Sequence, residues 1–270
     1  MGYSRTVFLA IPFPNFDPVI FDFGQVGSFP IAVRWYGLLW LVGSLLAWFH
    51  VVSRFKDKSL GIQKKQIDDF LFWAVLSSVL GGRIGYAIFY APENFSFFKI
   101  WTGGLSFHGG FIGVVLAIIF YSRIQKIPIW TLGDAIACAA PLGLFCVRIA
   151  NFINGELYGR VTNLPWGVVF PNSGGVPRHP SQLYEAMFEG LILFLILHVL
   201  SKNPNFQNKG GFLTGVFISG YAIFRVGAEF FREPDAHLGF IIPGVTMGQI
   251  LSLPLLLVGI YLIFRPKRAV

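Results

Sequence analysis

Charged residues are scarce in this sequence, where Asp, Glu, Lys and Arg together make up 13% of 270 residues. An average soluble domain carries about 25%. The apolar share is 54%, and 17% of the residues are aromatic. In water such a chain would expose too much apolar surface, whereas a lipid bilayer solvates that surface. The composition therefore indicates a membrane protein and excludes an ordinary aqueous domain.

Cysteine and histidine are also few. The two cysteines, Cys138 and Cys146, lie eight positions apart in one apolar stretch. On a helix that spacing is about 12 Å, which is too far for a disulfide. The five histidines lack metal-ligand spacing. We therefore predict neither a disulfide nor a bound metal.

The amino-terminal segment does not have the form of a signal peptide. Arg5 precedes an apolar run, but Pro12, Pro14 and Asp17 cut that run short. A signal peptide has an uninterrupted apolar stretch before its cleavage site. We interpret residues 1–32 as an aromatic, proline-containing segment that lies at the outer membrane surface.

Seven stretches are long and apolar enough to cross a bilayer, which takes about 20 residues for each helix. They cover residues 33–53, 67–91, 105–122, 131–151, 182–200, 211–231 and 246–264. The predicted fold is all-α, a polytopic protein with seven transmembrane helices that forms a single integral-membrane domain over residues 1–270. The polar stretch 155–181, rich in Gly, Pro and Asn, is expected to cap the bundle on its extracytoplasmic side.

Positive charge is distributed unevenly between alternate loops. One set of loops carries twelve Lys and Arg residues and the other carries five, while four more arginines lie inside the predicted helices. Cytoplasmic loops carry the excess of positive charge. The amino terminus is therefore predicted outside and the carboxyl terminus in the cytoplasm. The formal charge of +8 is then mainly a topology signal, and we expect no nucleic-acid partner.

Polar side chains within the predicted helices share one depth. In this orientation six helices carry them in the outer half of the membrane, and they are Arg34, Tyr36, Arg83, Tyr86, His108, Arg148, Asn151, Gln182, Glu185, Glu189, Tyr221, Arg225 and Glu229. A charge near the bilayer centre costs about 2.5–3.5 kcal/mol on insertion scales, so these groups must face one another or a wet cavity. Outer-loop Arg160, Arg178 and Arg232 are expected to converge there. Because a guanidinium holds phosphate by two parallel hydrogen bonds, the predicted ligand is an anionic phospholipid headgroup.

Simpler explanations exist for several of these residues. Intramembrane ion pairs can lock helices together without a ligand, and Arg225 with Glu229 has the spacing of such a pair. His108 fits packing as well as catalysis. A group of glycines near His108 could form a phosphate-binding loop, but close helix contact is the commoner role of glycine in membranes. These glycines are Gly103, Gly104, Gly109, Gly110 and Gly113.

The predicted fourth helix runs into an unusually polar segment. Residues 147–160 read Val-Arg-Ile-Ala-Asn-Phe-Ile-Asn-Gly-Glu-Leu-Tyr-Gly-Arg. This run resembles the signature of the bacterial prolipoprotein diacylglyceryl transferase family, although Val147 stands where the signature usually has glycine. Further motifs resemble that family in the same order: Arg34-Trp35-Tyr36-Gly37, Gly82-Arg83-Ile84-Gly85-Tyr86, Phe107-His108-Gly109-Gly110, His179-Pro180-Ser181-Gln182-Leu183-Tyr184-Glu185 and Arg225-Val226-Gly227-Ala228-Glu229-Phe230-Phe231-Arg232.

The resemblance implies a reaction and a location. The diacylglyceryl group of phosphatidylglycerol would pass to the lipobox cysteine thiol in the signal peptide of a preprolipoprotein, forming a thioether and releasing glycerol phosphate. The location implied is the bacterial cytoplasmic (inner) membrane, with the active site toward its extracytoplasmic leaflet. Membrane lipid is the expected surrounding, and no cofactor is required.

By position, the resemblance also implies residue roles. Arg148 matches the phosphatidylglycerol-binding arginine and His108 a proposed base. The positions regarded as essential or important in the family correspond to Tyr36, Asn151, Gly159, Glu156, Arg225 and Glu229. The predicted catalytic set is His108, Arg148, Arg225, Tyr36 and Glu229, and the predicted substrate-binding set is Arg148, Arg83, Asn151, Asn154, Glu156, Gly159, Tyr221 and Arg232.

The proposed chemistry suits these side chains. A cysteine thiol is mostly protonated at neutral pH, so a base such as His108 would help. Fixed arginines stabilise the charge that develops on a departing phosphate, a role we assign to Arg148 and Arg225, oriented by Glu229 and Glu156. Two alternative functions are a transporter and a non-catalytic lipid-binding scaffold. A transporter would line a path through both membrane halves with polar residues, whereas the polar residues here stop midway. A scaffold would need arginines but no histidine or tyrosine at fixed positions.

Overall fold

The structure, a computed structural model, describes residues 10–27, 29–55, 62–89, 97, 104–234 and 240–266. The first nine residues of the predicted surface segment and Gly103 lie outside the described residues. Helices dominate the described part. They are α1 (Trp35–Phe55), α2 (Lys64–Phe89), α3 (Phe107–Gln125), α4 (Ile129–Ile153), α5 (Ser181–Leu200), α6 (Pro204–Gln207), α7 (Phe212–Glu229) and α8 (Met247–Phe264).

Six of these helices, namely α1 to α5 and α8, are long and apolar enough to cross a membrane. The remaining predicted span, 211–231, coincides with α7, an 18-residue helix that is not among the six. Pro141 lies inside α4 and Pro254 inside α8. Neighbouring helices in a membrane can satisfy the backbone groups that a proline leaves unpaired.

Short strands accompany the helices in a structure that is mostly helical, as the all-α prediction expected. They are β1 (Ile11–Pro12), β2 (Val19–Val26), β3 (Phe29–Arg34), β4 (Val168–Val169), β5 (Phe240–Ile242) and β6 (Val245–Thr246). β1 pairs in parallel with β4, while β2 with β3 and β5 with β6 form antiparallel pairs. Part of the predicted surface segment is thus a hairpin that ends where α1 begins. Its β-branched and aromatic residues favour strands once a partner is available.

Glycines bring α2 and α3 into close contact. A Cβ atom added to Gly109 or Gly113 would clash with the backbone carbonyl of Gly81 or Ser77 respectively. Small residues at such crossings let helix backbones approach closely in membranes. Helix contact, rather than a phosphate-binding loop, is therefore the confirmed role of Gly109 and Gly113.

Helix α4 lies at the centre of the bundle. It packs against α1, α5 and α7, and Cys138 and Cys146 are both buried and free within it. Asp134, near its start, accepts hydrogen bonds from the backbone N–H groups of Gly211 and Thr214, each at 2.7 Å. This carboxylate therefore caps the amino-terminal end of α7, where backbone N–H groups lack helical partners. The opposite end of α4 carries Arg148.

Helix α5 contains an irregular segment. Residues Ala186–Ile192 form a π-helical stretch between two α-helical ones. A Cβ atom on Gly190 would lie 2.7 Å from the Cβ of Phe145, so α5 and α4 are in close contact here. Such π-bulges are frequent at functional sites, and this one follows Glu185 and includes Glu189.

Candidate active site

A buried carboxylate on α5 joins three arginines from different parts of the chain. Glu185 has 0% exposed surface. Its Oε2 atom lies 2.7 Å from Nη2 of Arg148 and 3.0 Å from Nη1 of Arg225. Its Oε1 atom lies 3.2 Å from Nη1 of Arg232. Glu185 thereby links α4, α5, α7 and the segment that follows α7.

Two further carboxylates complete this cluster. Glu229 lies one turn after Arg225 on α7, and its Oε1 is 2.5 Å from Arg225 Nη2. Glu189 is fully buried but lies farther from the guanidinium groups, at 3.5 Å from Arg148 and 3.9 Å from Arg225. The i, i+4 pairing of Arg225 with Glu229 confirms the prediction from their spacing. The cluster of Arg148, Arg225, Arg232, Glu185, Glu189 and Glu229 is called the arginine cluster below.

Tyrosines flank the arginine cluster. The charges of Arg148, Arg225, Glu185 and Glu189 all act on the hydroxyl of Tyr221, which lies one turn before Arg225 on α7. Tyr36, at the start of α1, is 37% exposed, and the charges of Arg148 and Glu156 act on its hydroxyl. Both tyrosine hydroxyls therefore lie within electrostatic range of the Arg148 guanidinium.

A group of side-chain amides surrounds Glu156 beyond the end of α4. The Glu156 Oε1 atom accepts hydrogen bonds from Asn151 Nδ2 at 2.9 Å and from Asn154 Nδ2 at 3.1 Å. Its backbone oxygen accepts a 2.6 Å hydrogen bond from Nε2 of Gln182. Asn151 and Gln182 are both buried. Glu156 thus ties the end of α4 to the start of α5.

Gly159 lies where three chain segments cross. Its N–H donates to the His179 carbonyl at 2.8 Å, and it forms a bridge with Arg232. A Cβ atom would lie 2.7 Å from His179 Cβ and closer still to the carbonyl oxygen of Phe231. Burial lowers the pKa of the His179 ring, whose Nδ1 lies 3.2 Å from the Tyr184 hydroxyl. Only a residue without a side chain fits this crossing.

The arginine cluster is suited to an anionic ligand. Guanidinium groups are rigid, permanently charged forks that match the geometry of phosphate oxygens. Buried charges in a membrane are retained mainly where they pair or serve a function. The Nε atom of Arg148 is buried and has no hydrogen-bond partner among the described residues. Arg148 therefore keeps one donor that its carboxylate partners do not use.

Comparison with known proteins shows which family the chain resembles. The sequence profile of the family described as prolipoprotein diacylglyceryl transferase matches residues 18–265. The phosphatidylglycerol–prolipoprotein diacylglyceryl transferase of Allorhizobium ampelinum is 46% identical over 281 residues, covering 100% of this chain and 96% of that protein. The Brucella canis protein of the same name is 46% identical over 275 residues, covering 96% of this chain and 95% of its own length.

The chain belongs to the prolipoprotein diacylglyceryl transferase family. It is a transferase of lipoprotein biosynthesis with several membrane-crossing helices. The resemblance seen in its motifs is therefore confirmed at the level of the family. The arginine cluster and the amides around Glu156 include most of the residues expected from those motifs.

Within this member of the family, the structure brings one large group of the predicted residues together. They are Arg148, Asn151, Asn154, Glu156, Tyr221, Arg225, Glu229 and Arg232, with Gly159 at the adjoining crossing and Tyr36 nearby. One predicted role differs, because the hydrogen bonds of Glu156 go to amides rather than to Arg148. Glu185 instead orients Arg148.

Other predicted residues have different surroundings. Arg83 is buried and donates to the backbone oxygens of Phe97 and Gly104, each at 2.9 Å. It thereby joins α2 to the backbone at Phe97 and Gly104. His108 is exposed in the first turn of α3, a helix that packs mainly on α2.

Three outer-loop arginines were expected to converge here. Arg232 belongs to the cluster, whereas Arg160 and Arg178 have other contacts. Arg160 donates to the backbone oxygens of Arg232 and Glu229, so it stabilises the backbone of two cluster residues. Arg178 pairs with Glu233 at 2.8 Å, and that pair is partly exposed. Neither guanidinium has a described contact with the carboxylates of the cluster.

Sequence reasoning did not assign roles to Glu185, Glu189 and Gln182. The available signal was their i, i+3 and i+7 spacing, which places all three on one face of an apolar helix. Their burial would be costly without partners. That signal predicted a polar face on α5, but it contained no information about which arginines the face meets.

Proposed function

We propose that this chain transfers the diacylglyceryl group of phosphatidylglycerol to the lipobox cysteine of preprolipoproteins, and that the arginine cluster binds the phosphate. The observation that carries the proposal is the pair of guanidinium groups, Arg148 and Arg225, held by one buried carboxylate, Glu185. The relatives named for the same reaction span nearly the whole chain.

The reaction is a displacement at carbon. The cysteine sulfur forms a bond to the diacylglyceryl carbon that bears the phosphate, and the bond between that carbon and the phosphate oxygen breaks. The electron pair of that bond goes to the departing glycerol phosphate. Preorganised donors stabilise charge that develops in a transition state. Arg148 and Arg225 fill this role, because their carboxylate partners hold them in place before substrate arrives.

The remaining residues have supporting roles in this proposal. Tyr36 and Tyr221 have hydroxyls within electrostatic range of Arg148. Glu229 orients Arg225, and the amides near Glu156 line the approach to the phosphate. Arg83 supports the site indirectly, by hydrogen bonds to the backbone oxygens of Phe97 and Gly104. His108 is the proposed base. It accepts the proton of the cysteine thiol when the substrate peptide approaches α3.

We further propose seven transmembrane helices in one integral-membrane domain, with α7 as the one beyond the six apolar helices. The excess of Lys and Arg in alternate loops supports an outer amino terminus and a cytoplasmic carboxyl terminus. In that orientation the arginine cluster lies toward the extracytoplasmic leaflet of the bacterial inner membrane. The connection 155–181 then caps it on the side from which a lipobox cysteine arrives.

Replacing Arg148 by Ala tests the proposal. Purified variants in phospholipid micelles are incubated with labelled phosphatidylglycerol and a lipobox peptide, and thioether formation is followed. Loss of one preorganised donor costs about 10²–10³-fold in rate, and we expect at least this loss for Arg148→Ala. Arg123→Ala is the matched control, since Arg123 is an exposed arginine on α3. Full transfer activity in folded Arg148→Ala would refute the assignment.

A further inference from the structure

Two buried amide side chains near the arginine cluster each present an oxygen that no described residue binds. Asn151 is 4% exposed and Gln182 is 1% exposed. The Oδ1 atom of Asn151 and the Oε1 atom of Gln182 are buried, and neither has a hydrogen-bond partner within the part of the chain that the structure describes. Buried polar atoms are usually satisfied, and each exception calls for a ligand, a water or a strain that explains it.

Glu156 fixes the direction in which both amides point. The Nδ2 atom of Asn151 donates to the Glu156 carboxylate at 2.9 Å, and the Nε2 atom of Gln182 donates to the Glu156 backbone oxygen at 2.6 Å. Rotating either amide by half a turn would set its oxygen against another oxygen, since only the nitrogen end can donate. Both oxygens are therefore held as acceptors facing away from Glu156.

Asn151 lies about one helical turn from Arg148, and Gln182 lies about one helical turn from Glu185, the partner of Arg148. Asn151 follows Arg148 by three residues on α4, and Gln182 precedes Glu185 by three residues on α5. Three residues advance a helix by about 4.5 Å. Arg148 and Glu185 join the two helices at one level, and Glu156 joins Asn151 and Gln182 at the next level toward the helix ends.

That placement corresponds to the layout of a phospholipid headgroup. With the phosphate on Arg148 and the acyl chains in the hydrocarbon, the headgroup alcohol extends toward the helix ends at the membrane boundary. Two fixed acceptors there require donors, and the two hydroxyls of a glycerol headgroup are uncharged donors on adjacent carbons. A headgroup without hydroxyls would leave both buried oxygens unpaired, which is the condition under which sites discriminate most strongly.

We propose that Asn151 and Gln182 bind the hydroxyl groups of the glycerol headgroup and thereby select phosphatidylglycerol among anionic phospholipids. The inference rests on the proposed function, because it assigns specificity to the same lipid site. It adds Gln182 to the substrate-binding residues and gives Glu156 the role of orienting both amides. The amides hold the leaving group, glycerol phosphate, rather than the diacylglyceryl part.

The test compares two lipids that differ only in headgroup hydroxyls. Phosphatidylpropanol has the same phosphodiester charge and three headgroup carbons, but no hydroxyl. We expect the wild-type protein to show a kcat/KM at least tenfold higher with phosphatidylglycerol. A lipid with one headgroup hydroxyl, phosphatidyl-1,3-propanediol, is expected to fall between the two.

Substitution of Gln182 assigns the effect to this residue. Gln182→Met keeps the length of the side chain but removes the acceptor. It should lower kcat/KM at least tenfold with phosphatidylglycerol and much less with phosphatidylpropanol. Ser181→Ala is the matched control, since Ser181 is buried on the same turn and its hydroxyl donates to the backbone oxygen of Leu157. It should change both rates by the same factor.

Different outcomes overturn different claims. Equal rates for the three lipids in the wild-type protein, or an equal loss on both lipids in folded Gln182→Met, would overturn hydroxyl recognition and leave water as the occupant of the amides. Absence of any transfer from phosphatidylglycerol by the wild-type protein would overturn the proposed function and this inference with it. If Gln182→Met does not fold, the order of the three lipids in the wild-type protein still decides the question.

Discussion

Removing the charge of Glu185 should destabilise the protein more than any comparable change at its surface. Glu185 is fully buried and contacts Arg148, Arg225 and Arg232 at 2.7, 3.0 and 3.2 Å. Glu185→Gln keeps the side-chain shape but turns one acceptor oxygen into an amide donor that faces guanidinium donors. Removing one partner of a buried ion pair costs about 3–5 kcal/mol, since the other charge stays buried and unpaired.

Two further Glu→Gln substitutions provide reference values for the loss of stability in Glu185→Gln. Glu233→Gln breaks the pair with Arg178, in which Glu233 is 49% exposed, and exposed pairs contribute about 0–1 kcal/mol. Glu189→Gln should fall between the two, because Glu189 is buried but its guanidinium contacts are 3.5 and 3.9 Å long. The expected order of loss is therefore Glu185, then Glu189, then Glu233.

Reversible unfolding in mixed micelles with a rising fraction of denaturing detergent measures these losses. Transfer assays on the folded fraction complete the comparison, since Arg148 and Arg225 should lose their fixed positions in Glu185→Gln. A Glu185→Gln protein as stable as Glu233→Gln would show that the described ion pairs do not hold the cluster together. Normal transfer by that variant would show that Glu185 does not position the arginines.

Three further predictions concern other parts of the site. Gly159→Ala should cost about 1–3 kcal/mol of stability through overpacking against Phe231, as measured by thermal unfolding. Gly227→Ala is the control, because a Cβ there meets nothing within 4 Å, and it should be neutral or slightly stabilising. Asp134→Ala should cost about 1–3 kcal/mol by leaving the start of α7 uncapped, while transfer per folded molecule stays normal; a large loss of activity at unchanged stability would contradict a capping role. If His108 is the base, His108→Gln should slow transfer most at low pH, because thiolate is scarcest there and transfer depends most on proton removal. A pH–rate profile unchanged in shape and height would exclude that role.

Local sequence was sufficient to predict the apolar helices. The six apolar helices follow from runs of about 20 apolar residues, which need no knowledge of neighbours to be assigned to a membrane. The pair of Arg225 and Glu229 was predictable for the same reason, since residues four apart on a helix lie on the same face as neighbours. The hairpin of β2 and β3 was missed, because strand pairing depends on a partner segment as well as on composition.

The family, the helical membrane fold and most polar residues of the candidate site thus followed from the order of residues along the chain. Only the tertiary structure decided which charges meet. Glu185 contacts Arg148 across 37 positions, and Glu156 holds Gln182 across 26 positions. These contacts arise from the crossing of α4, α5 and α7, and a spacing rule reaches no farther than one or two turns of a single helix.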